Sequence, residues 1–449
     1  MEEFIMKITE QMRCVRAREH VAKELKDHIM DQAAAYEEHG RSHEEALQEA
    51  VREMGDPVEV GMELDRIHRP QTDYKMIGMA FLFSLGGLFL LYTTGGMSAV
   101  PGDFARQCFY LLLSFVVMAG MYFLDYTFIG RYAHVIYIVL TVLLIVRVVL
   151  LPMPEGYYGF PDMRLFVYLY LPVYGGILYQ MRGKGYAAVG WAIILLMITA
   201  ALSEKLPSSM HAGLVVYGVC MILLLCAIRR EWFAVNRKVA AAAVTGVLVL
   251  IPAALFVVMV CGDGEDSFRM MRIRAFLNPE EYASGAGYLY AWIRQQAASV
   301  RLVGPSGGIA FTDWLGEPYT YRSEPFILLQ IVCRYGLLAG AALLLAFGIF
   351  IVHAFLVVKR QKNQLGYILS MACFLVFLAN CTAGILANTG YYPLTGMQFP
   401  FVSYGIGAAV TYAVLLGLLL SIYRNEKIVA EGVAVLRPRW RLSIRLEKK

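Results

Sequence analysis

Apolar runs of about twenty residues, separated by short polar or basic segments, leave this chain one broad architecture. A membrane-crossing helix needs about 20 mostly apolar residues. Inside hydrocarbon every backbone N–H and C=O must be paired within the protein, which selects helices for runs of this length. Such runs fall at 76–95, 106–124, 132–151, 163–181, 186–203, 209–228, 238–261, 326–357, 365–387 and 403–423. The expected fold class is therefore an all-α polytopic membrane protein with ten spans. The composition agrees: 58% of the 449 residues are hydrophobic, 17% are charged, and mean hydropathy is +0.55. The eighth run is longer than a bilayer requires, so part of it is expected to tilt or protrude. The first apolar run follows some 75 polar residues, so no cleavable signal is expected.

Basic residues orient the spans. With the N-terminus inside, the inner loops carry Arg131, then Arg182 and Lys184, then Arg229, Arg230, Arg237 and Lys238, then Lys359, Arg360 and Lys362. The short outer loops carry almost no basic residues, Lys205 being the exception. Both termini are thus expected to be cytoplasmic, with a basic tail at 425–449. Six of the eight cysteines (Cys108, Cys220, Cys226, Cys333, Cys373 and Cys381) lie in apolar runs, and no zinc-type spacing or disulfide framework is evident.

Residues 1–75 read as a separate cytoplasmic helical domain. They hold 11 Lys+Arg against 18 Asp+Glu, a net of −7; the remainder holds 29 against 17, a net of +12, which together give the +5 of the whole chain. Val21, Leu25 and Ile29 recur every four residues on one helical face. Ser42 precedes Glu45 by three, a capping-box spacing ahead of a helix with Leu47, Ala50, Val51 and Met54 on one face. Gly55-Asp56-Pro57 ends that helix and starts the next, with Asp56 as N-cap and Pro57 as first helical residue. This pattern resembles the permease prefix module found ahead of some membrane proteins. His20, His28, His39, His43 and His68 lie here, read either as solvated surface residues or as a metal site; the spacing favours the former.

Two segments break the apolar pattern. The first, Tyr392-Pro393-Leu394-Thr395-Gly396-Met397-Gln398-Phe399-Pro400-Phe401-Val402-Ser403-Tyr404-Gly405, is nearly uncharged yet cannot be one straight helix. Irregular backbone near membrane depth survives only where protein buries it or where it lines a cavity, so this segment is expected to wall a site. The second is the polar stretch 262–324, outside by parity and too long to be without a role. It contains Gly285-Ala286-Gly287-Tyr288 and a short helix running through Val300. Tyr288 and Trp292 are expected at headgroup level and Arg294, Gln295 and Gln296 toward water, as either an ordinary amphipathic surface helix or a substrate-contacting one.

Pro393-x-Thr395-Gly396 followed by Pro400-Phe401-x-Ser403-Tyr404-Gly405 resembles the signature of the SEDS family (shape, elongation, division and sporulation), the FtsW/RodA/SpoVE group. Arg274-Ala275-Phe276-Leu277-Asn278-Pro279 looks like that family's loop motif, Gly285-x-Gly287-Tyr288 follows as expected, and Phe326-Ile327 and Gly336-Leu337 resemble the start of its eighth span. The resemblance covers about 76–424. It implies a peptidoglycan glycosyltransferase of the bacterial plasma membrane that polymerises lipid II at the outer face, acting with a class B penicillin-binding protein. Nucleic acid is not among the implied partners.

That chemistry needs a carboxylate to deprotonate the attacking sugar hydroxyl and cations to hold the departing pyrophosphate. It leaves the need for a divalent cation open. The family's essential Asp aligns with Pro325, and Glu324 lies one residue earlier. Glu324 is thus either the base or an acid near a helix start that favours the helix dipole. The family's Gln-Pro-Ser-Glu motif near span four has no counterpart. The cationic candidates are Lys205, Arg274, Arg294, Arg322 and Arg147, the last of which lies within an apolar run and either serves the site or snorkels to the outer headgroups. His134, His211 and His353 stand at or near span ends and are expected to pack at the interface. Two other functions remain open at this point: a non-catalytic homologue that scaffolds or regulates envelope machinery, and a transporter of lipid-linked precursors, against which the sparse intramembrane polar residues weigh.

Overall fold

The computed structural model describes residues 1–93, 103–150, 163–203, 210–262, 268–306, 326–393, 399–426 and 428. The chain divides into two compact units. One is Met1–Asp73 with Gln361–Gln364 and the residues from Ile422 on; the other is Tyr74–Arg360 with Leu365–Ser421.

The first unit is built from α1 (Glu2–Gln11), α2 (Val15–Glu38), α3 (His43–Glu53) and α4 (Pro57–Ile67). The capping box forms: Glu45 N–H donates to Ser42 Oγ, and Ser42 N–H donates to Glu45 Oε2 at 3.3 Å. Asp56 Oδ1 accepts from Val58 N–H at 2.7 Å and from Glu59 N–H at 3.3 Å, with Pro57 in the first turn where its missing N–H is harmless. Val21, Leu25 and Ile29 are buried with Ile5, Ile8 and Met12 of the first helix, which the sequence reading did not name. On α3, Ala46 and Ala50 are fully buried, while Leu47, Val51 and Met54 pack at the margin. α1 and α4 meet at Gly61, where a Cβ would stand 2.7 Å from the Ile8 carbonyl oxygen. Ile428 also enters this core, and Gln71 N–H donates to the Arg424 carbonyl at 3.4 Å. The described start of the expected separate tail, 425–449, therefore packs with the first unit; residue 427 and residues 429–449 lie outside the described residues. The prefix histidines do not converge: His39 and His68 bond backbone carbonyls one turn back, and His43 bonds Glu37.

Each expected span has a helical counterpart in the second unit: α5 (Tyr74–Thr93), α6 (Asp103–Phe123), α7 (Thr127–Leu150), a 3-10 turn (Met163–Leu169) leading into α8 (Tyr170–Gln180), α9 (Tyr186–Ser203), α10 (Met210–Arg229) and α11 (Arg237–Gly262). The loop helices α12 (Phe268–Leu277) and α13 (Tyr288–Ala298) follow. Then come α14 (Ile327–Tyr335), α15 (Leu337–Arg360), α16 (Gln364–Asn388) and α17 (Ile406–Arg424). Among the described residues, 8 helices are long and apolar enough to cross a membrane.

Two expected spans depart from a single helix, each for a local reason. Span four begins as a 3-10 turn, and α8 starts only at Tyr170, which places Pro172 in its first turn, where no helical N–H is needed. Span eight does not run as one overlong, tilted helix; it breaks at Gly336. There φ is 96° and ψ 170°, a backbone region that glycine alone adopts comfortably. The chain after α13 is strapped to this break: Leu337 N–H donates to the Arg301 carbonyl at 2.9 Å, and Gly304 N–H to the Tyr335 carbonyl at 3.1 Å. A third interruption is repaired within the bundle. Pro252 inside α11 leaves the Leu248 carbonyl without its helical donor, and the Tyr217 hydroxyl takes its place.

The helices sort into inner and outer sets. All residues from Tyr170 to Tyr179 of α8 are buried, the mark of a helix surrounded by others. The apolar windows of α10, α16 and α17 are 61%, 67% and 78% buried, against 17% for α6. The outer helices expose Leu, Val, Ile and Phe side chains to the surface that a bilayer covers.

Candidate functional site

Where α10 begins and α16 ends, four polar side chains from separate segments meet. Asn380 of α16 donates through Nδ2 to the Val376 carbonyl at 2.9 Å, which turns its Oδ1 away from its own helix. That oxygen accepts from the Tyr168 hydroxyl at 3.0 Å and from His211 Nε2 at 3.2 Å. With Nε2 carrying the proton, Nδ1 is the acceptor, and the Tyr392 hydroxyl donates to it at 2.9 Å. Asn380 and His211 are buried. Burial also pushes the Tyr392 phenol above its ordinary value, so it stays a protonated donor. The chain Tyr168–Asn380–His211–Tyr392 therefore ties spans four, six and nine to the start of the irregular segment.

A second anchor follows eight residues later on α16. Asn388 Oδ1 accepts from the Leu329 N–H at 2.9 Å, capping the first turn of α14 from another helix. The residue before α14, Phe326, is buried with Ile293 and Leu329, and Leu289 and Trp292 of α13 lie against them. The start of α14 is thus held by α16 through Asn388 and by the loop helix α13 through Phe326.

The loop motifs explain themselves locally. A Cβ on Gly287 would lie 2.8 Å from the Pro279 carbonyl oxygen, so the turn between α12 and α13 admits only glycine there. Phe276 packs edge-on against Tyr290, with ring centroids 5.5 Å apart. The Tyr290 hydroxyl donates to the Pro393 carbonyl at 2.7 Å. Arg294, one turn on, donates through Nη2 to the Phe276 and Gly390 carbonyls, each at 3.4 Å, and its guanidinium lies 5.1 Å from the Tyr391 ring centre. Its buried Nε has no hydrogen-bond partner, and no carboxylate pairs with Arg294 among the described residues.

The expected site residues divide as follows. Arg294, Pro393 and the chain just after Glu324 and Pro325 are brought together. Arg274 is half-buried on α12, next to the Phe276 packing. Pro400, Ser403, Tyr404 and Gly405 form a plug deeper in the bundle. Ser403 Oγ accepts from Phe399 N–H at 2.8 Å, Gly405 N–H donates to Gln107 Oε1 at 3.3 Å, and Tyr404 packs on Tyr110. Phe401 takes a left-handed backbone (φ 64°) inside a cluster with Phe350, Phe377 and Tyr412. A Cβ on Gly87 would lie 2.7 Å from the Val402 carbonyl oxygen, so α5 closes directly on the plug. Glu324, Pro325, Arg322, Lys205, Thr395 and Gly396 lie outside the described residues, as does the side chain of Arg147.

Two expectations are corrected. Of the α13 residues assigned to water, Gln295 is exposed, but Gln296 is 4% exposed and Arg294 is partly buried, because this face of α13 packs toward Gly390 rather than outward. His211 is not an interfacial packing residue but the centre of a buried polar chain. Asn380, Asn388, Tyr168 and Tyr290 were also missed. A signal was present, since polar side chains inside apolar runs mark function or structure by default. What was absent was any sign of which ones meet. Among the described residues no group of three or more His, Cys, Asp or Glu side chains converges, and the buried chain is neutral, so these residues do not suit a resident divalent cation.

The sequence profile of the FtsW/RodA/SpoVE family, described as cell cycle protein, matches residues 163–428. The chain is 26% identical over 242 residues to the probable peptidoglycan glycosyltransferase FtsW of Trichlorobacter lovleyi, covering 53% of this chain and 58% of that one. It is 25% identical over 238 residues to stage V sporulation protein E of Bacillus subtilis, covering 52% and 59%. Against the peptidoglycan glycosyltransferase MrdB of Escherichia coli it is 24% identical over 250 residues, covering 54% and 62%. It thus spans about three-fifths of the length of these relatives. Among solved structures, a chain of a peptidoglycan synthase complex superposes with a TM-score of 0.63 at 18% identity, covering 79% of this chain and 98% of that chain. The rod shape determining protein RodA of Thermus thermophilus gives 0.53 at 15% identity, covering 79% and 97%. At these identities the superpositions speak for the fold alone. The profile takes in more than half of the chain, from the turn before α8 through α17, and with it this multi-pass membrane protein belongs to the FtsW/RodA/SpoVE family of cell cycle proteins.

Proposed function

We propose that the protein is a SEDS-type peptidoglycan glycosyltransferase that extends glycan strands from lipid II at the outer face of a bacterial plasma membrane. Its termini are cytoplasmic in this reading, and a class B penicillin-binding protein is its partner. The observation that carries the proposal is the placement of Arg294. A guanidinium held only by carbonyls and an aromatic face keeps its positive charge uncompensated by any carboxylate among the described residues. It stands on the helix that packs against Phe326, two residues after Glu324. A base and an anion-holding cation are what the reaction needs. Glu324 takes the proton from the acceptor sugar hydroxyl as its oxygen bonds the anomeric carbon of the donor. The bond from that carbon to undecaprenyl pyrophosphate breaks, and its electron pair leaves on the pyrophosphate, which Arg294 stabilises with Arg274, Arg322, Lys205 and Arg147 as further candidates. The names of the FtsW and MrdB relatives support the reaction class.

Purified protein with its partner and labelled lipid II tests the assignment. Glu324→Gln is expected to lower polymerisation by at least about 100-fold, the usual size of a general-base contribution. Asp313→Asn and Glu317→Gln are expected to stay near wild type. Equal polymerisation by wild type and Glu324→Gln would remove Glu324 as the base. One observation favours a second reading, the scaffold: Pro325 stands where the resemblance places the essential Asp. Absence of polymer from wild type with its partner present would decide for that reading.

A further inference from the structure

The opposite end of α10 carries a feature that glycan synthesis does not use. α10 has 20 residues, so its last residue, Arg229, stands roughly 30 Å from the His211 end. The helix stops with Glu231 N–H donating to the Ile228 carbonyl and Trp232 N–H to the Ala227 carbonyl, both at 3.1 Å. This geometry calls for a left-handed residue after the helix, normally glycine. Here it is Glu231, with φ 59°. A strained choice of this kind points to a use for the side chain. The Glu231 carboxylate receives Arg237 Nη1 at 3.0 Å and so holds the first residue of α11.

The loop is braced from the neighbouring connection. Gly183 N–H donates to the Trp232 carbonyl at 2.8 Å, and Ala234 N–H donates to the Lys184 carbonyl at 2.9 Å. Asn236 Oδ1 caps α11 by accepting from Lys238 N–H at 3.1 Å. Two nearby cations are committed to aromatic faces: Arg230 lies 3.5 Å from the Tyr367 ring centre and Arg182 lies 3.8 Å from that of Tyr179. Arg229, Arg237 and Lys238 instead line a shallow open cavity of about 270 Å³ at the surface, with Ala241 as its apolar wall. Glu231 answers only Arg237; Arg229 and Lys238 have no carboxylate partner among the described residues. Arg229 and Lys238 thus stand exposed with uncompensated charge beside an ion-paired Arg237, a net positive cluster that an anion would complete. Arg229 ends one membrane-crossing helix and Arg237 and Lys238 begin the next, so the three side chains stand at the ends of two spans, the level at which lipid phosphates lie.

We propose that this cavity binds the phosphate of an anionic lipid headgroup, with Arg229 and Lys238 as the recognising side chains and Glu231 as the residue that positions Arg237. The site lies at the far end of α10 from the His211 chain, and its test does not depend on polymer formation. Full-length protein in nanodiscs of phosphatidylcholine with one-tenth phosphatidylglycerol is extracted into detergent, and retained phosphatidylglycerol is counted by native mass spectrometry. The double variant Arg229→Gln/Lys238→Gln is expected to retain about tenfold less. Lys359→Gln/Arg360→Gln removes the same charge elsewhere and is expected to retain the wild-type amount. Ala241→Trp fills the cavity without touching charge and is expected to match the first variant; it keeps the test decisive if the double variant fails to fold. Equal retention by Ala241→Trp and wild type would overturn the proposal. Inorganic pyrophosphate, added to protein in pure phosphatidylcholine nanodiscs, is the second arm. A wild-type thermal shift with pyrophosphate, coupled to no selective phosphatidylglycerol retention, would also overturn it by assigning the cavity to a soluble anion.

Discussion

The two compact units hide their apolar side chains by different rules. In the unit built around α1–α4, the buried faces are the apolar sides of otherwise charged helices, and the starts of α3 and α4 are capped by their own neighbours in sequence, Ser42 with Glu45 and Asp56 with Val58. In the membrane unit nearly every helix is apolar all round, and water does not select which face turns inward. What selects it there is close backbone approach at glycines and polar side chains that find partners on other helices, as at Gly336, Asn380 and Asn388. The first unit is stabilised by hydrophobic contrast, the second by packing and by the need to satisfy polar groups in an apolar surround. Substitutions of the same chemical kind are therefore expected to act differently in the two.

The largest contrast is expected from overfilling a glycine. Gly336→Val places a β-branched residue at a glycine-only backbone, with a Cβ 2.7 Å from the Leu302 carbonyl oxygen. A cost above about 3 kcal/mol is expected for the membrane unit, the sum of strain and overpacking. Thermal unfolding in detergent, followed by an α13–α15 fluorescence probe, reads it; an unchanged midpoint would break the comparison. Emptying the hydrophobic core of the first unit comes next. Ile29→Ala is expected to cost about 2–5 kcal/mol and to unfold that unit while the membrane helices stay intact. Proteolysis that removes residues 1–70 but leaves the membrane unit protected is the expected result. The third is Asn380→Leu, which keeps size but strands the Tyr168 hydroxyl and His211 Nε2, at about 1–3 kcal/mol. The same polar-to-apolar change at an exposed prefix position such as Gln48 is expected to be near neutral, and an equal loss at both would show that polar pairing does not set the membrane unit apart.

The smallest effects belong to the caps. Ser42→Ala is expected to cost about 1 kcal/mol, confined to the first unit. The bonds from Ser42 hold the Glu45 carboxyl below its ordinary value, and Lys26 does the same for Glu2. A carboxyl with a depressed value in the folded state contributes stability above its unfolded value, and this is lost as pH falls through the folded one. A lower midpoint for the first unit is thus expected once pH falls below the ordinary glutamate value of 4.5, with the drop reduced in Ser42→Ala. A matching acid loss in the membrane unit, whose spans are almost free of carboxylates, would weaken the contrast.

Span positions, the amphipathic prefix, its caps and the loop motifs were legible in the sequence because each is written in neighbouring residues: twenty apolar in a row, a Ser-x-x-Glu, a proline after an N-cap. The 399–405 part of the irregular segment after α16 was legible as packed, non-helical backbone for the same reason, since prolines and glycines in an uncharged stretch argue against both helix and water. The breaks in spans four and eight were not, although Pro172 and Gly336 mark them, because a proline or glycine in an apolar run is compatible with either a kink or a stop until a neighbour closes on it. Only the tertiary structure decided that the Arg301–Ser306 strap meets Gly336, and that Tyr168 and Asn380, 212 residues apart, share one chain of hydrogen bonds with His211 and Tyr392. Local order follows from propensity and hydropathy, which act over a turn or two. Which polar side chains meet inside an apolar bundle depends on how the helices rotate and cross, and that is fixed by all their contacts at once.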